Sequence, residues 1–438
     1  MKFTDQIDAG TFDNFVLNSY SAHFMQTTAW AELKRASGWQ MRRVGVMNGD
    51  RIAGASLVLL RPIPRTRYSI GYAPRGYLLD YSDARVVEEM TRGIREWARK
   101  QRIVFLILDP ELVVAVRDNQ QADIELGGKP DQAVERMKKL GYLHDGDELD
   151  FNGVQPRFTF QLPLGYEESV LMDGFHRKTL YNIRLAARKG VEIVKGTEAD
   201  IGTFAQIMAV TGKRDGFVTR DADYFKRLYR ELHPAGLAEL YVAKINPSRA
   251  IEHLKKGLEQ ARQEAENLDK RLAKDAGNLA EEDKLAEITS KLEILKSRIA
   301  KYSQSIAEME EIKLSHPEGL VVSGAIETFA GKTAWYVYGA SDNVFRDYMP
   351  NYLLQWEMIR EAKRRGCTTY DFGGISGDVS PDNPLWGLYA FKKGFGGQFV
   401  EFAGEFTYVF NRPLYKLWTT VFPMLRSVRK RLMSLRRS

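Results

Sequence analysis

At 438 residues with 44% hydrophobic content, the chain is long enough for two or three domains with buried cores, and no apolar run approaches the roughly 20 residues that span a bilayer. A single cysteine, Cys367, excludes an intramolecular disulfide and fits a reducing compartment, and the start, Met1 to Gln6, lacks the apolar stretch of a signal peptide, so a cytoplasmic location is expected. The formal charge of +7 is local: after Glu405 there is no acidic residue, and taking the eight positive charges of that tail from the total leaves the rest at −1.

In chain order, residues 28–37 read as a helix. Val44–Met47 and Ile52–Val58 read as a hairpin, because Asn48-Gly49 between apolar runs is a strong short-range turn signal. A helix over 84–100 leads into Ile103-Val104-Phe105-Leu106-Ile107-Leu108, a run typical of a buried parallel strand, which stops at Asp109-Pro110. Residues 153–162 read as a crossing strand. One helix over 167–189 follows, with Arg177, Tyr181, Arg184 and Arg188 at 4-3-4 spacing on one face and Leu180, Ile183 and Ala187 on another. A guanidinium fork suits phosphate and a tyrosine can pack a sugar, so Arg177, Tyr181 and Arg184 are candidates to hold a phosphate-bearing ligand. An ordinary solvated helix face is the competing explanation.

The second half repeats this grammar. Strands at 240–245 and 320–326 match the first hairpin, the basic helix end at 360–365 echoes 95–100, and each copy runs into a strand ending at an aspartate, Asp109 or Asp371. Relative to the first copy, residues 247–318 are inserted at the hairpin turn. Ile251, Leu254, Leu258, Ala261, Ala265, Leu268 and Leu272, and again Leu285 through Met309, alternate three and four apart, which predicts two heptad seams pairing antiparallel around Gly277-Asn278 in an arm protruding roughly 30 Å.

Residues 335–397 carry the densest chemistry: Tyr338-Gly339-Ala340-Ser341, a helix with Leu353-Leu354-Gln355-Trp356, then Tyr370-Asp371-Phe372-Gly373-Gly374, then Phe391-Lys392-Lys393-Gly394. This is a β-α-β unit, whose ligands gather at the carboxyl ends of the strands. Lys392 is the expected catalytic cation, and Asp109 and Asp371 are placed to hold or deprotonate an amine. The six histidines are scattered without ligand spacing, and no phosphate-binding or nucleophile-elbow motif occurs, so neither a metal nor an organic cofactor is expected.

The ordered set YGAS, LLQWEMI, DFGGI and FKKGFGG, with Gln155-Pro156-Arg157 upstream, resembles the Fem (FemABX) family of non-ribosomal peptidyltransferases. That resemblance implies two tandem GNAT-like α/β domains, here 1–160 and 161–248 plus 316–410. A coiled-coil arm at 249–315 and a basic tail at 411–438 complete the expected division. It implies transfer of an amino acid from aminoacyl-tRNA to an amine on a muropeptide or lipid-linked peptidoglycan precursor, without a cofactor. It implies a catalytic set of Lys392, Phe391 and Asp109. The substrate-binding set is Lys34, Arg75, Tyr338 and Asp371, with the helix face Arg177, Tyr181 and Arg184 on the diphosphate end of the acceptor. A projecting arm is similar to those that hold tRNA. The tail, with an apolar stripe from Leu414 to Leu435 against arginine and lysine, is expected to lie on a membrane surface at the inner leaflet. A GNAT-like acyltransferase using another donor and a non-catalytic membrane scaffold are the alternatives.

Overall fold

A computed structural model describes residues 1–126, 128–146, 149, 153–275 and 282–420. The first part of the chain forms β1 (Lys2–Thr4), α1 (Ala9–Asn18), α2 (Thr28–Arg35), β2 (Gln40–Asn48), β3 (Arg51–Pro62), β4 (Ser69–Ala73) and β5 (Leu78–Leu79). It continues with α3 (Ala84–Lys100), β6 (Ile103–Leu108), β7 (Val113–Arg117), α4 (Pro130–Lys139) and β8 (Leu143–Asp145). Next come β9 (Phe158–Pro163), α5 (Glu168–Asp173), α6 (Arg177–Arg188), β10 (Val191–Lys195), α7 (Ile201–Asp215), α8 (Ala222–Leu232) and β11 (Ala238–Ile245). Two long helices, α9 (Pro247–Asp275) and α10 (Glu282–Ser315), separate β11 from β12 (Leu320–Ala330). The chain then runs through β13 (Thr333–Ser341), α11 (Pro350–Arg364), β14 (Thr369–Ile375), α12 (Trp386–Lys393), β15 (Gln398–Phe402) and β16 (Glu405–Val409).

The strands make two eight-stranded sheets, ordered β1-β2-β3-β4-β6-β16-β8 with β5 on β3, and β10-β11-β12-β13-β14-β9-β15-β7. Local chemistry explains the elements. Gly49 adopts φ 60° at the tip between β2 and β3, where an L side chain is strained, and the Thr27 hydroxyl accepts the Trp30 N–H to start α2. In each sheet one parallel pair, β4 with β6 and β13 with β14, sits among antiparallel neighbours.

The sheets do not follow the division at residue 160. β7 leaves the first half to pair with β15 in the second sheet, β16 returns to lie between β6 and β8 in the first, and β9 belongs wholly to the second. The reason is pairing: among the described strands, β7 and β8 pair only with β15 and β16, which come late in the sequence.

The helix expected over 167–189 is two helices. Phe175 turns inward against Trp356 and Phe395, and the His176 N–H is taken by the Gly394 carbonyl, so the chain breaks at 174–176 and restarts at Arg177. The arm has the expected seam, with Ala261, Ala265, Ile288, Leu292 and Leu295 forming a small core of their own. Its root is different: Ala250, Ile251 and Met309 are buried in the core beneath the second sheet. The turn around 277–278 lies outside the described residues.

After β16 the chain is helical to residue 420, and Tyr415 and Trp418 pack on Phe105 of β6, ring centroids 5.2 and 6.1 Å away. The start of the tail is therefore docked on the body, and the remainder of the expected membrane helix, 421–438, lies outside the described residues. No helix among the described residues is long and apolar enough to cross a membrane.

Candidate functional site

A cavity of about 460 Å³ opens between α2, α8 and the β3–β4 edge. Lys34, Arg61 and Arg220 line it together with Trp30, Tyr72 and Tyr224, and no described lining residue is acidic. The Lys34 ammonium sits 4.2 Å above the Trp30 ring, and burial followed by the charge of Arg220 lowers its pKa to about 8. Cations crowded together in a half-enclosed space call for an anion. Tyr338 stands behind this wall: its hydroxyl is 3.2 Å from that of Tyr224, and its ring meets Phe225 edge-on.

Asp109 lies buried behind Tyr72, which lines the cavity, and is not itself a lining residue. Tyr72 donates its hydroxyl to Asp109 Oδ2 at 2.8 Å and is itself reached by Gln155 Nε2 at 3.2 Å. The backbone N–H of Arg75 donates to Asp109 Oδ1 at 2.6 Å, aimed there by a left-handed φ of 54° that a non-glycine residue adopts at some expense. Burial pushes the Asp109 carboxyl up to about 6, with Arg75 opposing. Arg75 also donates Nη2 to the Pro156 carbonyl at 3.0 Å and lies over the Phe402 ring, so it ties the crossing segment to both sheets. Beyond it, Glu111 Oε1 is 3.6 Å from His23 Nε2 and 3.9 Å from Arg75 Nε. Burial raises Glu111 to about 7, and the negative charges of Asp371 and Asp109 both push the same way.

The second sheet supplies the other half. β13 and β14 pair only through Thr333–Trp335 and Thr369–Asp371, then part. Asp371 is fully engaged, accepting from the Thr159 hydroxyl, from Gln161 Nε2 at 3.0 Å and from the Gly373 N–H at 2.6 Å. Lys392 is buried rather than free in a cleft. Its Nζ donates to the carbonyls of Gly373 and Gly374 at 3.0 and 2.8 Å, which leaves one of three N–H bonds of the ammonium unassigned. Gly373 must be glycine for this arrangement: φ is 75°, and a Cβ would meet the Tyr336 carbonyl at 2.8 Å. Burial lowers Lys392 to about 7, against the pull of Asp371. Phe391 stacks edge-on with Tyr352 and Phe395 beside it. Lys392 therefore also has a structural part, clamping the two glycines near the end of β14.

Arg177, Tyr181 and Arg184 are all exposed on α6 and none lines the cavity, so the structure does not bring them to Lys34 and Asp109.

The sequence profile of the FemAB family matches residues 7–422. The chain is 34% identical over 416 residues, 94% of each sequence, to the Lipid II:glycine glycyltransferase of Staphylococcus aureus, and 34% identical over 427 residues to that of Staphylococcus saprophyticus, covering 97% of this chain and 96% of the relative. The chain belongs to the FemAB family. The crystal structure of FemX superposes with a TM-score of 0.75 at 32% identity, over 95% of this chain and 99% of that one. The architecture is therefore the tandem GNAT-like fold with a helical arm in the second unit, and this FemAB protein is a tRNA-dependent aminoacyltransferase of peptidoglycan bridge synthesis. Arg220, Glu111 and His23 were not singled out in the sequence. Arg220 lies in a short non-periodic loop between α7 and α8, and Glu111 and His23 become neighbours only through folding.

Proposed function

We propose that the cavity binds the acceptor as a lipid-linked peptidoglycan precursor, with Lys34 and Arg220 on its diphosphate and the stem-peptide amine directed past Tyr72 toward Asp109. The observation that supports this most is the acid-free, cation-lined cavity whose Tyr72 hydroxyl donates to the buried Asp109 carboxylate, its pKa raised by burial. The amine nitrogen attacks the ester carbonyl of the aminoacyl-tRNA. The new C–N bond forms as the C–O bond to the terminal ribose breaks, and the amine's proton passes by way of Asp109 to the ribose oxygen that leaves as a hydroxyl. Lys392, held by two carbonyls, directs its remaining N–H at the developing oxyanion, and Asp371 fixes the turn that holds it. An ester is already activated, so positioning and charge stabilisation supply the catalysis. Arg75 and Glu111 position Asp109 between the sheets, while Phe391 and Tyr338 support the two substrate walls.

The named relatives act on lipid II and glycine, so glycyl-tRNA and lipid II are the substrates to test first. Such an acceptor places the reaction at the cytoplasmic face of the membrane. Mass spectrometry of products from glycyl-tRNA, other charged tRNAs and acetyl-CoA, each with lipid-linked and soluble precursor, tests this. A glycyl adduct on the lipid-linked acceptor is expected, and transfer confined to soluble precursor would overturn the acceptor assignment.

A further inference from the structure

The helix face expected to hold the acceptor's phosphates lies elsewhere, and its surroundings assign it another ligand. α6 begins at the transfer site: the His176 N–H bonds the Gly394 carbonyl at 2.8 Å, two residues after Lys392, and Thr179 packs so closely on Gly394 that a Cβ there would meet its hydroxyl at 2.5 Å. It ends at the root of the arm, where the Gly190 carbonyl accepts the Asn246 N–H at 2.8 Å, one residue before α9. Twelve residues between these points span about 18 Å.

Residues 177–190 contain five basic side chains and no acidic one. Arg177, Lys178, Arg184 and Arg188 are exposed, and none forms an ion pair among the described residues. Nearby cations are treated differently: Arg249 pairs with Glu192 at 2.9 Å, Lys256 with Glu252 at 2.7 Å, and Arg360 with Glu168 at 2.9 Å. Only Arg188, in the last turn, suits the helix dipole. Arg177 and Lys178 oppose the positive end of the helix dipole, and Arg184 and Arg188 repel each other at i, i+4. Tyr181, 57% exposed, lies among them, with the Arg188 guanidinium 5.9 Å from its ring centre. Along the axis Arg177 and Arg184 stand about 10 Å apart, with Tyr181 between them, and Arg184 and Arg188 about 6 Å apart. A row of unpaired guanidinium groups with an exposed aromatic ring fits a sugar-phosphate backbone, since RNA helices are gripped through phosphates and 2′-hydroxyls rather than base edges.

We infer that the exposed face of α6 seats the acceptor arm of the donor tRNA, carrying its backbone from the aminoacyl end at Lys392 toward the root of α9. The inference rests on the tRNA-dependent activity described above and adds the surface that holds the tRNA. An anionic leaflet is the other macromolecular surface that arginine attracts, and the test separates the two.

The experiment measures binding of fluorescently labelled, uncharged tRNA by anisotropy at several salt concentrations. It compares the wild-type protein, Arg184→Glu/Arg188→Glu, Tyr181→Ala, and Arg95→Glu on the exposed side of α3 as a control. The double variant should raise the tRNA Kd at least tenfold and flatten the dependence of log K on log salt by about one unit or more, as expected when phosphate contacts are lost. Tyr181→Ala should weaken binding less, and Arg95→Glu should change nothing. The KM for lipid-linked acceptor should stay within twofold in all of them. Unchanged tRNA affinity in the double variant overturns the inference, as does loss of sedimentation with phosphatidylglycerol vesicles without loss of tRNA affinity. Wild-type protein that uses charged tRNA alongside indifferent variants defeats only the inference, whereas wild-type protein that cannot use charged tRNA defeats the activity on which it rests.

Discussion

Each half of the molecule has an aspartate where its parallel pairing stops, Asp109 just after β6 and Asp371 within β14, yet the two carboxylates live in different conditions. Asp109 has two donors and a pKa of about 6, and it lies behind a tyrosine at the end of an open cavity. Asp371 has three donors, one of them the N–H of the turn that Lys392 clamps. Burial raises the pKa of the first, while the second is tied by its hydrogen bonds into a frame. A duplicated fold has thus kept the residue type where each parallel pairing stops and divided the tasks between them.

The largest effect expected from breaking this division is at Lys392. Lys392→Met should lower the transfer rate about 10²-fold or more, the scale of one lost oxyanion donor. It should also destabilise the fold, because the Gly373 and Gly374 carbonyls lose their partner. Single-turnover rates and thermal unfolding check both, and a stable variant with near-normal turnover would remove Lys392 from the mechanism.

The two aspartates should respond oppositely to the same substitution. Asp371→Asn should cost about 2 to 3 kcal/mol of stability, since hydrogen bonds to a charged group are being weakened in a buried site. Asp109→Asn should lower the rate with little loss of stability at pH 7. Asp109 has its folded pKa raised above 3.8, so the native state binds more protons between about pH 4 and 6, and stability contributed there falls as pH rises through that window. Asparagine removes that slope, and chemical denaturation at pH 4.5 and 7 measures it. A drop in stability at Asp109 equal to that at Asp371 would erase the distinction.

Lys34→Ala and Arg220→Ala should each raise the acceptor KM about tenfold, the size of one charge-assisted contact, and leave tRNA affinity unchanged. The pH profile sharpens the comparison further. A reaction needing Asp109 ionised and Lys392 protonated falls off below about pH 6 and above about pH 7, with apparent limbs that also carry Glu111. Lys392→Arg should abolish the alkaline limb, because a guanidinium stays charged, and a limb that persists near 7 belongs to another group.

The smallest effect is expected in the arm. The Gly257 Cα faces the Tyr302 ring across the seam, so replacing residues 258–301 with a short turn should leave the melting temperature nearly unchanged. Removing 249–315 should be severe, because Ile251 and Met309 leave the core, at about 2 to 5 kcal/mol for each large apolar side chain lost.

Periodicity made much of this legible. The Asn48-Gly49 hairpin, the apolar strand into Asp109, the heptad seams and the β-α-β unit around Asp371 follow from local patterns, and the Fem-like motifs pointed to Lys34, Asp109 and Lys392. What escaped depends on contacts between distant residues. Arg220 reaches the cavity only because α8 packs on α2, and the two carbonyl bonds that clamp Lys392 need a glycine turn eighteen residues earlier. The break at 174–176 was hidden because the apolar spacing continues across it, while Phe175 makes its contacts with rings 181 and 220 residues away.

The exchange of strands between the sheets has a consequence in time. During synthesis β6 leaves the ribosome about 300 residues before β16, its permanent neighbour, and at about 5 to 20 residues per second the first sheet waits tens of seconds for its closing strand. β8 waits with it, having β16 as its partner, and β7 waits for β15. The nascent first half therefore carries an unsealed edge while the second half and the whole arm are made. Emergence of β15 and β16 completes both sheets nearly together, so closure of the first sheet and of the second become a single late event.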